Sequence, residues 1–270
     1  MAGLKTILSI AGSDPTGGAG IQADIRCGNS LGLHVLTAVT AVTAQNSKGL
    51  YELGVVCSSL LESQLQSILK DVTPNAVKIG IIGSEENFSV VERFLSNLSD
   101  SIPVVVDPLL KSTAGKEDFN LGLKDIDKVR DLYVNKIFPY CKVATPNIEE
   151  ASLLFGKTIK NEDHNILLNS LRLNNLILTG LNIEDGKITD VLIEQKEITT
   201  STHLRIDCNN LHGTGCCFSS FIASYMAMGK TLKDSFLLAS ERIFKIINNS
   251  NGYTLGHSSY GPLNINNYKL

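Results

Sequence analysis

Short apolar runs, each ending in a glycine or a polar residue, alternate along this chain with segments of helical spacing. This alternation limits the possible folds more than any other feature. Thr6–Ile10, Val35–Ala44, Ala76–Ile79, Val104–Val106, Val143–Ala144 and Leu176–Leu178 read as strands. Ile21–Leu31, Leu60–Val72, Asn87–Leu98 and Ile148–Phe155 read as the helices between them, with Leu61, Leu65, Ile68 and Leu69 on one helical face. Ile188–Ile193 and Glu197–Leu204 predict a hairpin, and Cys216–Met228 and Leu232–Asn248 two closing helices. Repeated strand–helix alternation predicts an α/β fold with a central, mainly parallel sheet and helices on both faces. No linker rich in Pro, Gly or Ser and no repeat interrupts residues 1–270, so one domain is expected. In such sheets ligands collect beyond the carboxyl ends of the strands. Those ends here carry Asp14, Gln45, Asp107, Asn147 and Thr179, and the polar stretch Lys111–Asp118, with Gly115, reads as a flap.

Composition excludes several classes. The balance of 43% hydrophobic and 19% charged residues is that of a globular protein, and the net charge of -3, without a dense Lys/Arg run, argues against a nucleic-acid partner. No apolar run approaches the roughly 18 residues of a membrane span. Met1–Ile10 is too short an apolar lead into Gly12-Ser13-Asp14 for a signal peptide, so a cytoplasmic location is expected. The six cysteines, at 27, 57, 141, 208, 216 and 217, contain no C-x-x-C pair. Neither a disulfide framework nor a zinc site is expected, and most of them should be buried small apolar residues.

The segment Leu211-His212-Gly213-Thr214-Gly215-Cys216-Cys217 places two glycines at the start of a long helix. Free backbone N–H groups and the positive end of the helix dipole converge there, which suits an anion or a phosphoryl group in flight. A glycine turn made for packing fits the same spacing. No Gly-Lys-Ser/Thr follows, so this is not a Walker loop. Cys216 stands in the first helical turn, where the dipole lowers a thiol pKa and would suit it to take a proton; a buried inert cysteine is the alternative. A second glycine-rich segment, Ala11-Gly12-Ser13-Asp14-Pro15-Thr16-Gly17-Gly18-Ala19-Gly20, leads into a helix bearing Asp24, which reads either as a ligand contact or as a solvated helix-face carboxylate. Asn147 and Glu150, three apart, share a helix face. They can orient water on Mg²⁺, form a capping box, or do both. Asp107, after Val104–Val106, is a further candidate for a metal or a triphosphate.

Taken in order, these segments resemble the ribokinase-like superfamily, and more closely its hydroxymethylpyrimidine/phosphomethylpyrimidine kinases of thiamine biosynthesis. The matching stretches are 11–15 with 17–24, Thr40-Ala41-Val42-Thr43-Ala44-Gln45-Asn46, Val77-Lys78-Ile79-Gly80, Val106-Asp107-Pro108, Thr145 to Ala151, His212 to Cys216, and the tail Gly256-His257 with Gly261-Pro262. The resemblance covers nearly the whole chain. It implies a three-layer fold and transfer of the γ-phosphoryl of ATP to the hydroxymethyl of 4-amino-5-hydroxymethyl-2-methylpyrimidine, then to its monophosphate. It implies that Gln45, Gly12 and Asp24 line the pyrimidine pocket. Gly213, Thr214, Gly215 and Cys216 would form the anion hole, with Cys216 as the base. Asp107, Asn147, Glu150 and Thr179 would serve the ATP end, with Asp107 and Glu150 near Mg²⁺. A homodimer is also implied. Three positions depart from the pattern. Thr179-Gly180-Leu181-Asn182 replaces a Lys-Gly-Gly-His-like stretch, Leu211 replaces a Thr, and Cys217 stands where a Thr is frequent. The resemblance also leaves two rival readings open. One is a pyridoxal kinase, disfavoured because Leu109–Gly115 lacks a cysteine; the other is a ligand-binding homologue without catalysis.

Overall fold

The central strands are buried on both faces, which is why they appear in sequence as short apolar runs without a polar side. The structure is a computed structural model describing residues 3–110, 125–156, 159, 164–208, 210–255 and 261–265. The proposed flap at 111–118 and the tail residues Gly256-His257 lie outside these. The chain runs β1 (Thr6–Ser13), α1 (Gly20–Ser30), β2 (His34–Asn46), β3 (Gly49–Val55), α2 (Ser58–Leu69), β4 (Ala76–Ile79), α3 (Glu85–Ser96), β5 (Val104–Val106) and α4 (Ile126–Leu132). It continues with β6 (Val143–Ala144), α5 (Ile148–Phe155), α6 (His164–Ser170), β7 (Asn175–Glu184), β8 (Lys187–Glu194), β9 (Ile198–Leu204), α7 (Thr214–Ala227) and α8 (Leu232–Ser250).

The nine strands of the described residues join one sheet in the order β3-β2-β1-β4-β5-β6-β7-β8-β9. The strands from β2 to β7 pair in parallel, as the alternation predicts, and antiparallel strands close both edges. The expected hairpin is β8–β9. The β2–β3 and β7–β8 hairpins add to it, and β7 runs on past Leu178 through an irregularity.

Side chains alternate across each strand, so the parity of the sequence assigns every residue to one of two cores. Leu8, Ile10, Val77, Ile79, Val104 and Val106 face a layer containing Leu61, Phe88, Val91 and Leu154. Ile7, Ala76, Val105, Val143 and Ile177 face the other layer, containing Ala23, Cys27, Phe221, Phe236 and Ile243. Each such fully buried aliphatic contributes about 1.5–3 kcal/mol. By the same parity Ser9 and Lys78, paired in register on β1 and β4, both point toward α1 and α7. Among the described residues no helix is long and apolar enough to cross a membrane.

The carboxyl ends of the strands are tied together from within. Asn87, fully buried on α3, donates from Nδ2 to the carbonyls of Val56 (3.1 Å) and Ile82 (3.2 Å). Replacing Asn87 with Ala strips these buried carbonyls of their donor. It should cost about 1–3 kcal/mol in urea unfolding, with little change in the slope of the transition.

Candidate active site

The two glycine-rich loops meet without a side chain between them. Gly213 caps α7 in the left-handed region (φ 82°), and a methyl there would lie 1.8 Å from the Gly18 carbonyl oxygen. Gly20 (φ 59°) lies equally close to Gly12, where an added Cβ would meet the Gly12 oxygen at 2.3 Å. Gly12 itself is buried at the point where the β1–β2 register shifts. Gly213 and Gly20 need to be glycine for this close approach of one backbone to another. The outcome is that the first turn of α7 faces the carboxyl end of β1, with its N–H groups lacking intrahelical acceptors. Thr214 turns its hydroxyl onto the Leu211 carbonyl (2.7 Å), and Gly215 is exposed, with the site of a Cβ 3.8 Å from Asp107 Oδ1.

Beneath this loop sits a buried charge cluster. Lys78 on β4 and Asp24 on α1 are fully enclosed and paired, with Nζ 3.0 Å from Oδ1 and 3.2 Å from Oδ2. Ser9 and Ser220 donate their hydroxyls to the same carboxylate. Asp24 is therefore not a solvated helix-face residue; it is enclosed beneath the loop. All its acceptor capacity is spent inside, because a buried lysine on the neighbouring strand demands a counter-charge.

Asp107, 2% exposed, follows β5 and accepts from Ser219 Oγ (3.4 Å) and from the Cys216 thiol. Burial raises its pKa, against the pull of Lys78. Cys216 is 5% exposed, and burial pushes its thiol well above the ordinary value, with Lys78 opposing and Asp107 and Asp24 adding to the rise. The lowering expected at the helix end gives way to a rise, because burial disfavours the thiolate more than Lys78 and the Gly20 N–H favour it. Cys217 is enclosed and contacts Cys27, a structural role. Five of the six cysteines are buried, as expected, and Cys57 alone is exposed.

The second group lies past the end of β6 and beside Thr179 within β7. Asn147 and Glu150 form the capping box of α5. Asn147 Oδ1 accepts from Glu149 and Glu150 N–H (2.9 Å each), and Glu150 Oε2 accepts from Asn147 N–H (3.0 Å). Burial, then the Asp107 carboxylate, push Glu150 up to about 8. Thr179 bridges Asn147 and donates its N–H to the Pro146 carbonyl (3.2 Å). Gly180 (φ 69°) donates to Asp190 Oδ1 (2.9 Å), so the turn that departs from the family pattern is pinned from β8.

Gln45, half-buried at the end of β2, lies 3.3 Å from His212 Nε2, which lies 2.9 Å from Asp14 Oδ2. Asp14 stands out in sequence as a polar residue at a strand end, whereas His212 shows only as part of a motif. Lys78 was equally hidden, although a lysine inside Ala76-Val77-Lys78-Ile79 is itself a signal, since a charge in a buried strand needs a buried partner.

Two predictions follow from these buried groups. Lys78→Met leaves Asp24 buried and unpaired and should cost about 3–5 kcal/mol in urea unfolding, whereas Asp24→Asn/Lys78→Met together should recover most of it. Glu150, with an ordinary value of 4.5 and a folded value of about 8, gives stability that is complete below its unfolded pKa and lost as pH rises toward 8. Glu150→Gln should therefore raise Tm relative to the parent at pH 8.5 and confer no such gain at pH 4.5.

Comparison with known proteins agrees with this architecture. The family model described as phosphomethylpyrimidine kinase matches residues 14–264. A hydroxymethylpyrimidine/phosphomethylpyrimidine kinase of Staphylococcus aureus (strain Mu50) is 32% identical, with 96% of this chain and 93% of that protein covered. The pyridoxal kinase of Staphylococcus aureus in complex with AMP-PCP superposes with a TM-score of 0.83 at 26% identity, covering 98% of this chain and 94% of that one. The phosphomethylpyrimidine kinase of Clostridium difficile 630 superposes at 0.73 with 27% identity, covering 89% of this chain and 98% of that one. The chain belongs to the phosphomethylpyrimidine kinase family.

Proposed function

We propose that this enzyme uses ATP to phosphorylate the hydroxymethyl group of 4-amino-5-hydroxymethyl-2-methylpyrimidine, and then the resulting monophosphate, in thiamine biosynthesis. The observation that carries the reading is the meeting of the Gly213–Cys216 loop with the Gly12–Gly20 loop directly above Asp107. That arrangement supports a site with anion-binding N–H groups at one end and the Gln45 amide at the other.

Phosphoryl transfer proceeds through a loose transition state, so catalysis is mainly placement and charge stabilisation. In this reading the N–H groups of Gly215 and Cys216 receive the charge on the transferring oxygens, and Gln45 and Gly12 hold the ring. Asn147, Glu150 and Thr179 face the nucleotide phosphates. With Thr at 179, and with Lys78 enclosed, no side-chain ammonium of these two residues touches the phosphates; Lys78 acts through space.

Magnesium fits the donor set. Asp107 and Glu150 are hard oxygen donors whose charges oppose each other, a repulsion that a cation relieves. Among the described residues no group of three metal-ligating side chains occurs, which suits an ion that keeps much of its water and is shared with phosphates. Such an ion, bound there, would neutralise phosphate charge.

Cys216 is the proposed base, and its resting thiol sets a signature. Turnover should still be climbing at pH 9, as the thiolate fraction grows, and Cys216→Ala should lose about 10²-fold or more in kcat together with that climb. A near-parental rate in Cys216→Ala would remove Cys216 from proton transfer. The function itself is tested by incubating the protein with Mg-ATP and the hydroxymethylpyrimidine. Mono- and diphosphate products are expected, with pyridoxal assayed beside it as the competing acceptor and light scattering reporting the homodimer that belongs to the same reading.

A further inference from the structure

Three residues from three parts of the chain form a hydrogen-bonded line at the substrate end of the site. Asp14 is 4% exposed and its carboxylate accepts throughout: Oδ1 takes the Thr16 N–H (2.8 Å) and Oδ2 takes the Thr16 hydroxyl and the Ala19 N–H (2.9 Å each). Burial alone would raise its pKa, but hydrogen bonds from His212 and Thr16 outweigh it and hold the carboxyl below its ordinary value. An ionised carboxylate 2.9 Å from His212 Nε2 requires a hydrogen on that nitrogen. Once Nε2 carries the hydrogen and donates it to Asp14, it has no lone pair left. The Gln45 amide nitrogen Nε2, which the structure sets 3.3 Å away, then cannot be an N–H donor toward it. Amide oxygen and nitrogen are interchangeable in shape, so the hydrogen-bond network assigns them. The donor network therefore turns the Gln45 amide over by half a turn, which sets its carbonyl oxygen against His212, sharing the Nε2 hydrogen in a three-centre bond, and leaves the NH₂ for the ligand.

We infer that Asp14 and His212 are positioning residues that lock the Gln45 amide in one orientation, so that the pocket presents an N–H donor and selects a ring bearing an acceptor nitrogen at that point. The imidazole is itself held, since a methyl on Gly18 would lie 2.4 Å from His212 Cδ2. A freely turning amide would present either its donor or its acceptor and would tolerate a C–H in place of the ring nitrogen. A locked one meets that C–H with an unpaired buried N–H. The inference rests on the proposed pyrimidine reading for the identity of the ring, but not for the orientation of the amide.

The test has two arms. In the first, kcat/KM is measured on the hydroxymethylpyrimidine and on its pyridine analogue, in which the ring nitrogen beside the amino-bearing carbon is replaced by C–H. The parent enzyme should favour the pyrimidine by about 10²-fold, and His212→Phe should reduce that preference to under about 10-fold. A preference unchanged within about twofold in His212→Phe would overturn the inference; a purely structural loss would lower both rates and leave their ratio alone. In the second arm, ¹⁵N-histidine NMR of the unmodified protein, with His212→Gln used for assignment, should show His212 protonated at Nε2. A bare Nε2 sinks the inference whether or not the variants fold. If the parent protein turns over neither compound, the functional reading falls, and the NMR arm alone decides the orientation.

Discussion

The site depends on one buried ion pair. Lys78 and Asp24 come from β4 and α1, and the hydroxyls of Ser9 and Ser220 bring β1 and α7 to the same carboxylate. Four elements are thereby fixed at one point in the interior, directly under the helix turn that carries Gly213–Cys216. A buried pair of this kind is weak as a source of net stability, because desolvation consumes most of the attraction. It is strong as a device of register: neither charge tolerates displacement from the other, so α7 cannot slide along the sheet.

The same enclosure explains the chemistry above it. Lys78 is the one cation in a cluster that also contains Asp24, Asp107 and Cys216. Asp107 and Cys216 are both shifted toward their neutral forms by burial, and Glu150 is pushed the same way by burial and by Asp107. The resting site therefore holds its negative charge back. In the proposed reading, an incoming phosphate would meet backbone N–H groups beside carboxyl and thiol groups that burial shifts toward their neutral forms.

Much of this was legible in the sequence where the cause is local. β4, β5, β6 and α5 fall where their apolar runs predict, because strands buried on both faces leave no ambiguity of pattern. The capping box of Asn147 and Glu150 spans only three residues and could be read directly. β3 could not: Tyr51 and Val55 are exposed, so no alternation marks it. β7 was cut short at Leu178, because Gly180 resembles a strand end when it is a pinned irregularity. The burial of Asp24 is not legible in sequence because its partner lies 54 positions away, and spacing along α1 carries no trace of a lysine on β4. The thiol of Cys216 was misjudged for a related reason, since a helix terminus shows in sequence and depth does not.

The contact between Gly18 and Gly213 has a further consequence. With backbone touching backbone, the Gly12–Gly20 loop and the Gly213–Cys216 loop form a single mechanical part. Reshaping one for a bulkier ring would drag the other off its alignment. Divergence toward new acceptors is therefore channelled away from the glycines and onto the rim formed by the end of β2, where exposed Val42 and half-buried Gln45 can change without moving any backbone.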